Sequence, residues 1–253
     1  MRKWKYEAAA DLAVPAGERM QSIRREKGMA SSIAHALFMA GMWTYFRLYH
    51  RHTVIHRERL PTKTPFILCS NHTSHADSMA LACALPPSVR LETYMVAAGD
   101  VFFSSPVMTA VSATLINALP LWRKKVTTHA LEELRQRLVR GHGGLIVFPE
   151  GARSRDGKPG RFKPGIGMVV AGTDIPVYPC HIEGSFEALP PGKSVPRPRK
   201  VTVRVGEPLR FETTANTREG WNEIAAAIRS SIGKLAPEPW PEVGAIDTGE
   251  EAH

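Results

Sequence analysis

Beyond residue 50 the chain alternates short, densely apolar runs with longer stretches in which apolar residues return every three or four positions. The runs TVIHRERL (53–60), PFILCS (65–70), ETYMVAA (92–98), INALPLW (116–122), GGLIVF (143–148), IPVYPCHI (175–182) and VTVRV (201–205) predict strands. PFILCS is apolar throughout, as a strand covered on both faces must be. Pro120 inside INALPLW marks an edge or a bulge, because proline cannot donate to a ladder. Helical spacing covers 76–85, 100–115 with Pro106 inside it, 127–140 behind the capping Thr127, a short piece at 166–172, and 218–232. Strands alternating with helices predict an α/β fold with a mixed, largely parallel central sheet flanked by helices, in which functional residues gather where strands end.

Ahead of this pattern lies MASSIAHALFMAGMWTYF (29–46), which approaches membrane length but is diluted by two serines, His35 and Gly41 and flanked by RREK and RLYHRH. A helix in the membrane interface fits it better than a crossing one, and a helix packed on the protein's own core is the alternative. The expected organisation is an N-terminal helical, interfacial segment (1–50), an α/β domain (51–236) and a flexible tail (237–253) with five acidic residues and no Lys or Arg. The 253 residues are long enough to bury a large core, and 43% hydrophobic with 23% charged residues is a globular composition. Lys and Arg outnumber Asp and Glu by 33 to 24, which suits an acidic partner such as a phosphorylated substrate, an anionic membrane or nucleic acid. Cys69, Cys83 and Cys180 are widely spaced in apolar surroundings and read as reduced core residues in a cytoplasmic compartment.

Two polar stretches interrupt the apolar frame at predicted strand ends. NHTSHAD (71–77) follows PFILCS directly. His72 and Asp77 are five apart, which on one continuous helix leaves them roughly 140° apart and out of contact. They can pair if His72 stands in the turn and Asp77 in the first turn of the helix, with Asn71 and Ser74 supporting the turn backbone. Such a carboxylate would hold the imidazole as a general base, whereas the unassuming reading is a helix-capping histidine beside a surface carboxylate. A metal set of His72, His75 and Asp77 lacks a second cluster to complete it, so no metal is expected.

The second stretch, VFPEGARSRDGKPGRFKPG, gathers Arg153, Arg155, Lys158, Arg161 and Lys163 among glycines. Arg forks and glycine-freed amides grip phosphate, and Glu150 can orient an Arg, although a solvated basic loop is the simpler reading. Together, NH-x-S-x-x-D and, about seventy residues on, FPEGxRS resemble the glycerolipid acyltransferase family, which includes the 1-acylglycerol-3-phosphate acyltransferases. The resemblance runs from about Arg59 to Leu209. It implies that His72 and Asp77 are catalytic and that Glu150, Gly151 and Arg153 bind the acceptor phosphate, with Ala152 where Thr is common. It also implies that Arg123, closing NALPLWR, binds substrate, although Asn117 stands at a Gly position of that block and Pro120 among its aliphatic ones. IPVYPCHIEGS matches a fourth block, with Tyr178 and Cys180 as departures.

The resemblance further implies transfer of a fatty acyl group from an acyl thioester, acyl-CoA or acyl carrier protein, to the hydroxyl of a lysophospholipid such as lysophosphatidate. His72 would act as base without a covalent acyl-enzyme; no G-x-S-x-G elbow is present. Backbone amides at Asn71 to Ser74 are the expected oxyanion donors, and Val101, Phe102, Phe103 and Met108 either line an acyl tunnel or pack the core. No bound cofactor is expected, and the enzyme would sit on the cytoplasmic face of the membrane, peripheral or monotopic. A hydrolase built on the same pair and a non-enzymatic lipid- or nucleic-acid-binding domain are the other classes. Against nucleic acid, aromatic residues do not interleave with the basic loop.

Overall fold

The computed structural model describes residues 11–12, 14–15, 18–122, 127–238 and 240. Arg123 and most of the acidic tail lie outside them. Among the described residues the chain forms one seven-stranded sheet from β1 (Thr53–Ile55), β2 (Phe66–Ser70), β3 (Thr93–Ala98), β4 (Ala118–Leu121), β5 (Gly144–Val147), β6 (Val177–Glu183) and β7 (Thr202–Val205). The order is β1-β7-β6-β2-β5-β3-β4, and every neighbouring pair is parallel except β6 and β7. The expected mixed, largely parallel sheet is therefore the one observed, with Pro120 on the edge strand β4.

Each predicted helix has a counterpart among α1 (Met29–Leu48), α2 (Asp77–Ala84), α4 (Gly99–Phe102), α5 (Pro106–Thr114), α6 (Thr128–Val139), α7 (Gly165–Val170) and α9 (Arg218–Gly233), with the short turns α3 (Pro87–Arg90) and α8 (Ser185–Ala188) added. Two expectations were too continuous. The 53–60 run is extended only as far as Ile55, because His56 takes the left-handed conformation (φ 58°) and starts a 3-10 turn over Arg57–Arg59. The 100–115 helix is broken into α4 and α5. Pro106 has no N–H and drives Ser105 into an extended conformation, and the Ser105 hydroxyl then caps the new helix by accepting from the Met108 amide.

β2 lies in the middle of the sheet and its five residues are fully buried. Phe66 and Leu68 face α1 and α2, while Ile67 and Cys69 join the cluster under α6, α7 and α9, the two-residue alternation of a strand covered on both sides. Truncating Leu68 to Ala would cost about 2–5 kcal/mol. α1 packs His35, Met39 and Phe46 inward at helical spacing, so packing on the protein's own core describes one of its faces. Its other face exposes Met29, Ile33, Leu37 and Leu48 to solvent. Among the described residues no helix is long and apolar enough to cross a membrane.

Asn117 has φ 58°, a conformation that glycine adopts freely and that Asn tolerates better than most residues, so Asn at this position is physically reasonable. Its side chain is also used. Nδ2 donates to the Thr93 carbonyl at 2.5 Å, and Oδ1 accepts from Arg25 at 3.1 Å. Arg137, lying 3.9 Å from the Tyr94 ring, donates to the carbonyls of Ile23 and Arg25. These bonds strap residues 23–25 across the strand starts, at the opposite end of the strands from NHTSHAD.

Candidate active site

NHTSHAD begins where β2 ends, and its first residue is structural. The Asn71 amide donates to the Ile182 carbonyl at 2.9 Å and its oxygen accepts from the Ile182 amide at 2.8 Å, tying the turn to β6. Asp77 opens α2 with no solvent exposure, and its Oδ2 accepts from the Thr73 amide at 2.7 Å and the Ser74 amide at 2.8 Å. The same oxygen lies 2.9 Å from His72 Nδ1. A carboxylate oxygen already taking two N–H bonds calls for a third donor, so Nδ1 carries the proton and Nε2 is left as the basic nitrogen. The imidazole is stacked on Phe148, with centroids 4.0 Å apart and planes 16° from parallel, which fixes its remaining rotation. His72 thus stands in the turn and Asp77 in the first helical turn, the arrangement that lets residues five apart meet.

Ser74 is fully buried; its hydroxyl donates to the Leu189 carbonyl at 2.8 Å and accepts from the Ala76 amide. Thr73 bonds Ser185 at 3.2 Å. Asn71 and Ser74 are turn supports. Of the turn amides expected as oxyanion donors, those of Thr73 and Ser74 point at Asp77 and that of His72 points at Glu150. An oxyanion would have to displace a carboxylate from each of them.

The second stretch is stitched to the first. Glu150, after β5, accepts the His72 amide on Oε1 at 2.9 Å and the Gly160 amide on Oε2 at 3.1 Å, so one carboxylate spans the turn and the far limb of the basic loop. Burial raises its pKa, and the two amide bonds pull it the other way. The Ser154 amide donates to the His72 carbonyl at 2.8 Å, which holds the preceding Arg153 beside the turn. That bond and the Glu150 bridge hold the His72 backbone through its carbonyl and its amide. Gly151 has φ 74°, a conformation that calls for glycine, and the outer part of the Lys163 side chain lies over it. Inside the loop Asp156 accepts from the Ser154 hydroxyl and the Lys158 amide, closing a local turn. Arg153 has its Nη1 buried with no hydrogen-bond partner among the described residues, an expensive state for a guanidinium unless an anion completes it.

Several contributors carry little signal in the sequence. Arg229 on α9 donates to the Gly160 carbonyl at 3.2 Å and so braces the loop from a helix 69 residues away. Phe148 reads as the end of a strand, and Lys163, which covers Gly151, as one more base in a basic run. Of the apolar residues considered for an acyl tunnel, Phe103 is buried in a cluster with Ala113 and Ala118, whereas Val101 and Met108 are exposed. All three cysteines are buried; burial raises their thiol pKa values, to about 12 for Cys83 and Cys180, so none is a ready nucleophile. Among the described residues no three His, Cys, Asp or Glu side chains gather as a metal site.

The Acyltransferase family model matches residues 51–183, more than half of the chain and the whole of both polar stretches. A chloroplastic 1-acyl-sn-glycerol-3-phosphate acyltransferase of Brassica napus is 28% identical over 61% of this chain and 44% of its own length. One from Chlamydomonas reinhardtii is 29% identical over 75% of this chain and 54% of its own length. The crystal structure of the 1-acyl-sn-glycerophosphate (LPA) acyltransferase PlsC from Thermotoga maritima has the same fold, with a TM-score of 0.60 over 82% of this chain and 81% of that one, at 24% identity. The chain belongs to the acyltransferase family. It spans about half the length of the curated relatives it matches.

Proposed function

We propose that this protein transfers a fatty acyl group from an acyl thioester to the free hydroxyl of lysophosphatidate. The observation that carries the reading is the 2.9 Å bond between His72 Nδ1 and a fully buried Asp77, which leaves Nε2 as the base. Nε2 takes the acceptor's hydroxyl proton while its oxygen attacks the thioester carbonyl. The tetrahedral intermediate then expels the thiolate, which recovers the proton from His72. No covalent enzyme intermediate is needed, in keeping with the inert cysteines. Arg153 holds the acceptor's phosphate and Glu150 with Gly151 shapes the loop around it, so that binding energy brings the hydroxyl to Nε2. Arg123 is a proposed further contact on the same phosphate. Acyl-CoA or acyl carrier protein serves as donor.

The reaction takes place at a membrane surface, on its cytoplasmic face. Support comes from the apolar stripe Met29, Ile33, Leu37 and Leu48 on the outside of α1 and from the exposed Arg47 and Arg51 at the C-terminal end of that helix. The acceptor assignment is tested with Arg153→Ala in detergent micelles. The KM for lysophosphatidate should rise about tenfold or more, as expected for loss of a charge-assisted contact, with the KM for the acyl thioester unchanged. An unchanged acceptor KM would contradict the assignment of the loop to the phosphate.

A further inference from the structure

His75 is unused in the mechanism above. It follows β2, yet its ring stands 6.4 Å from Phe102, edge to face, and Phe102 belongs to α4, which follows β3. In the sheet the strand between β2 and β3 is β5, whose loop carries Arg153. The Phe102 contact therefore carries His75 toward the β3 side of its turn, and β5, whose loop bears Arg153, ends between the two. The bond from the Ser154 amide to the His72 carbonyl fixes that loop against the same turn. His75 is exposed, whereas Arg153 Nη1 is buried and has no partner among the described residues.

Resting on the reading of Arg153 as a phosphate anchor, we propose that His75 is a second binding contact for the acceptor's phosphate, closing on it from across Arg153 and favouring a phosphate monoester over a phosphodiester headgroup. A monoester near neutral pH approaches two negative charges and offers three acceptor oxygens, enough for an Arg fork and an imidazole together. A diester carries one charge, and its headgroup occupies one of those oxygens. The charged groups that act on the His75 imidazole are Arg153 from the loop and His72 and Asp77 from its own turn; α4, which meets the ring through Phe102, also carries Asp100. Partial burial of the ring and then the Arg153 cation lower the imidazole's pKa. A bound dianion opposes both Arg153's repulsion and the loss of the imidazole's proton, so the ring gains a charge when it is needed.

The test compares wild type, His75→Gln, His75→Lys and Arg153→Ala in micelles, with lysophosphatidate as acceptor. His75→Gln should raise the acceptor KM about tenfold, leave the donor KM unchanged and change kcat less than about twofold, while His75→Lys, with its fixed cation, should recover much of the loss. Lysophosphatidylethanolamine, a diester, run as a competing acceptor should gain relative to lysophosphatidate in His75→Gln. If Arg153→Ala raises the acceptor KM and His75→Gln does not, the role of His75 is overturned and the phosphate reading stands. If neither variant changes it, the phosphate reading fails and the inference with it. A loss confined to kcat would overturn the inference by making His75 a support of the catalytic turn.

Discussion

His72 is held by contacts of different kinds: a carboxylate at Nδ1, a stacked Phe148 ring, and backbone bonds from its amide and carbonyl to the loop after β5. Glu150 joins the His72 backbone to the far limb of the basic loop by accepting two amides. Glu150→Gln keeps one acceptor oxygen but puts an NH2 where the other amide expects an acceptor, leaving one buried N–H unsatisfied, at a cost of about 1–3 kcal/mol. Both kcat and acceptor KM should worsen in this variant, and thermal denaturation should show a lower Tm. Unchanged kinetics in a protein of normal stability would show that the bridge is dispensable.

At the scale of elements, the site is assembled where adjacent parallel strands end. β2 brings the turn, β5 the loop, β6 the anchor for Asn71, and α9 braces the loop through Arg229. α1 has two apolar stripes, one closing the core over α2 and the other exposed. Replacing Ile33 and Leu37 together by Asp changes only the exposed stripe, so the fold should keep its Tm. Co-flotation with vesicles containing anionic lipid should fall several-fold, since each side chain removes apolar area from water when it inserts. Undiminished flotation would assign membrane contact to another surface.

Across the whole molecule, much of the architecture was legible because fully apolar runs such as PFILCS can be satisfied only inside a sheet covered on both faces, and Pro120 called for an edge or a bulge and stands on an edge. Breaks in regular structure were harder to read. The left-handed turn at His56 leaves no mark in an apolar pattern, and Pro106 was compatible with either one bent helix or two. At the site, the residue types and spacing of NHTSHAD and PEGARS pointed to side chains that the fold does bring together, His72 against Asp77 and the loop after β5 against the same turn. Their mutual bonding through Glu150, and the bracing by Arg229, depend on contacts 69 to 78 residues apart that no local pattern encodes. The same limit explains the oxyanion expectation: free amides in a turn cannot be told from amides already claimed by a buried carboxylate until Asp77 is seen beneath them. The central claim is that His72 is the base of an acyl transfer to a lysolipid hydroxyl. Its most direct test is thiol release from a long-chain acyl-CoA, measured with and without lysophosphatidate for wild type and His72→Ala. The account predicts release that requires the acceptor and falls at least about 10²-fold in the variant, while Tm and far-UV circular dichroism stay at wild-type values. Acceptor-independent release, or a folded His72→Ala protein that transfers acyl groups at the wild-type rate, would contradict it.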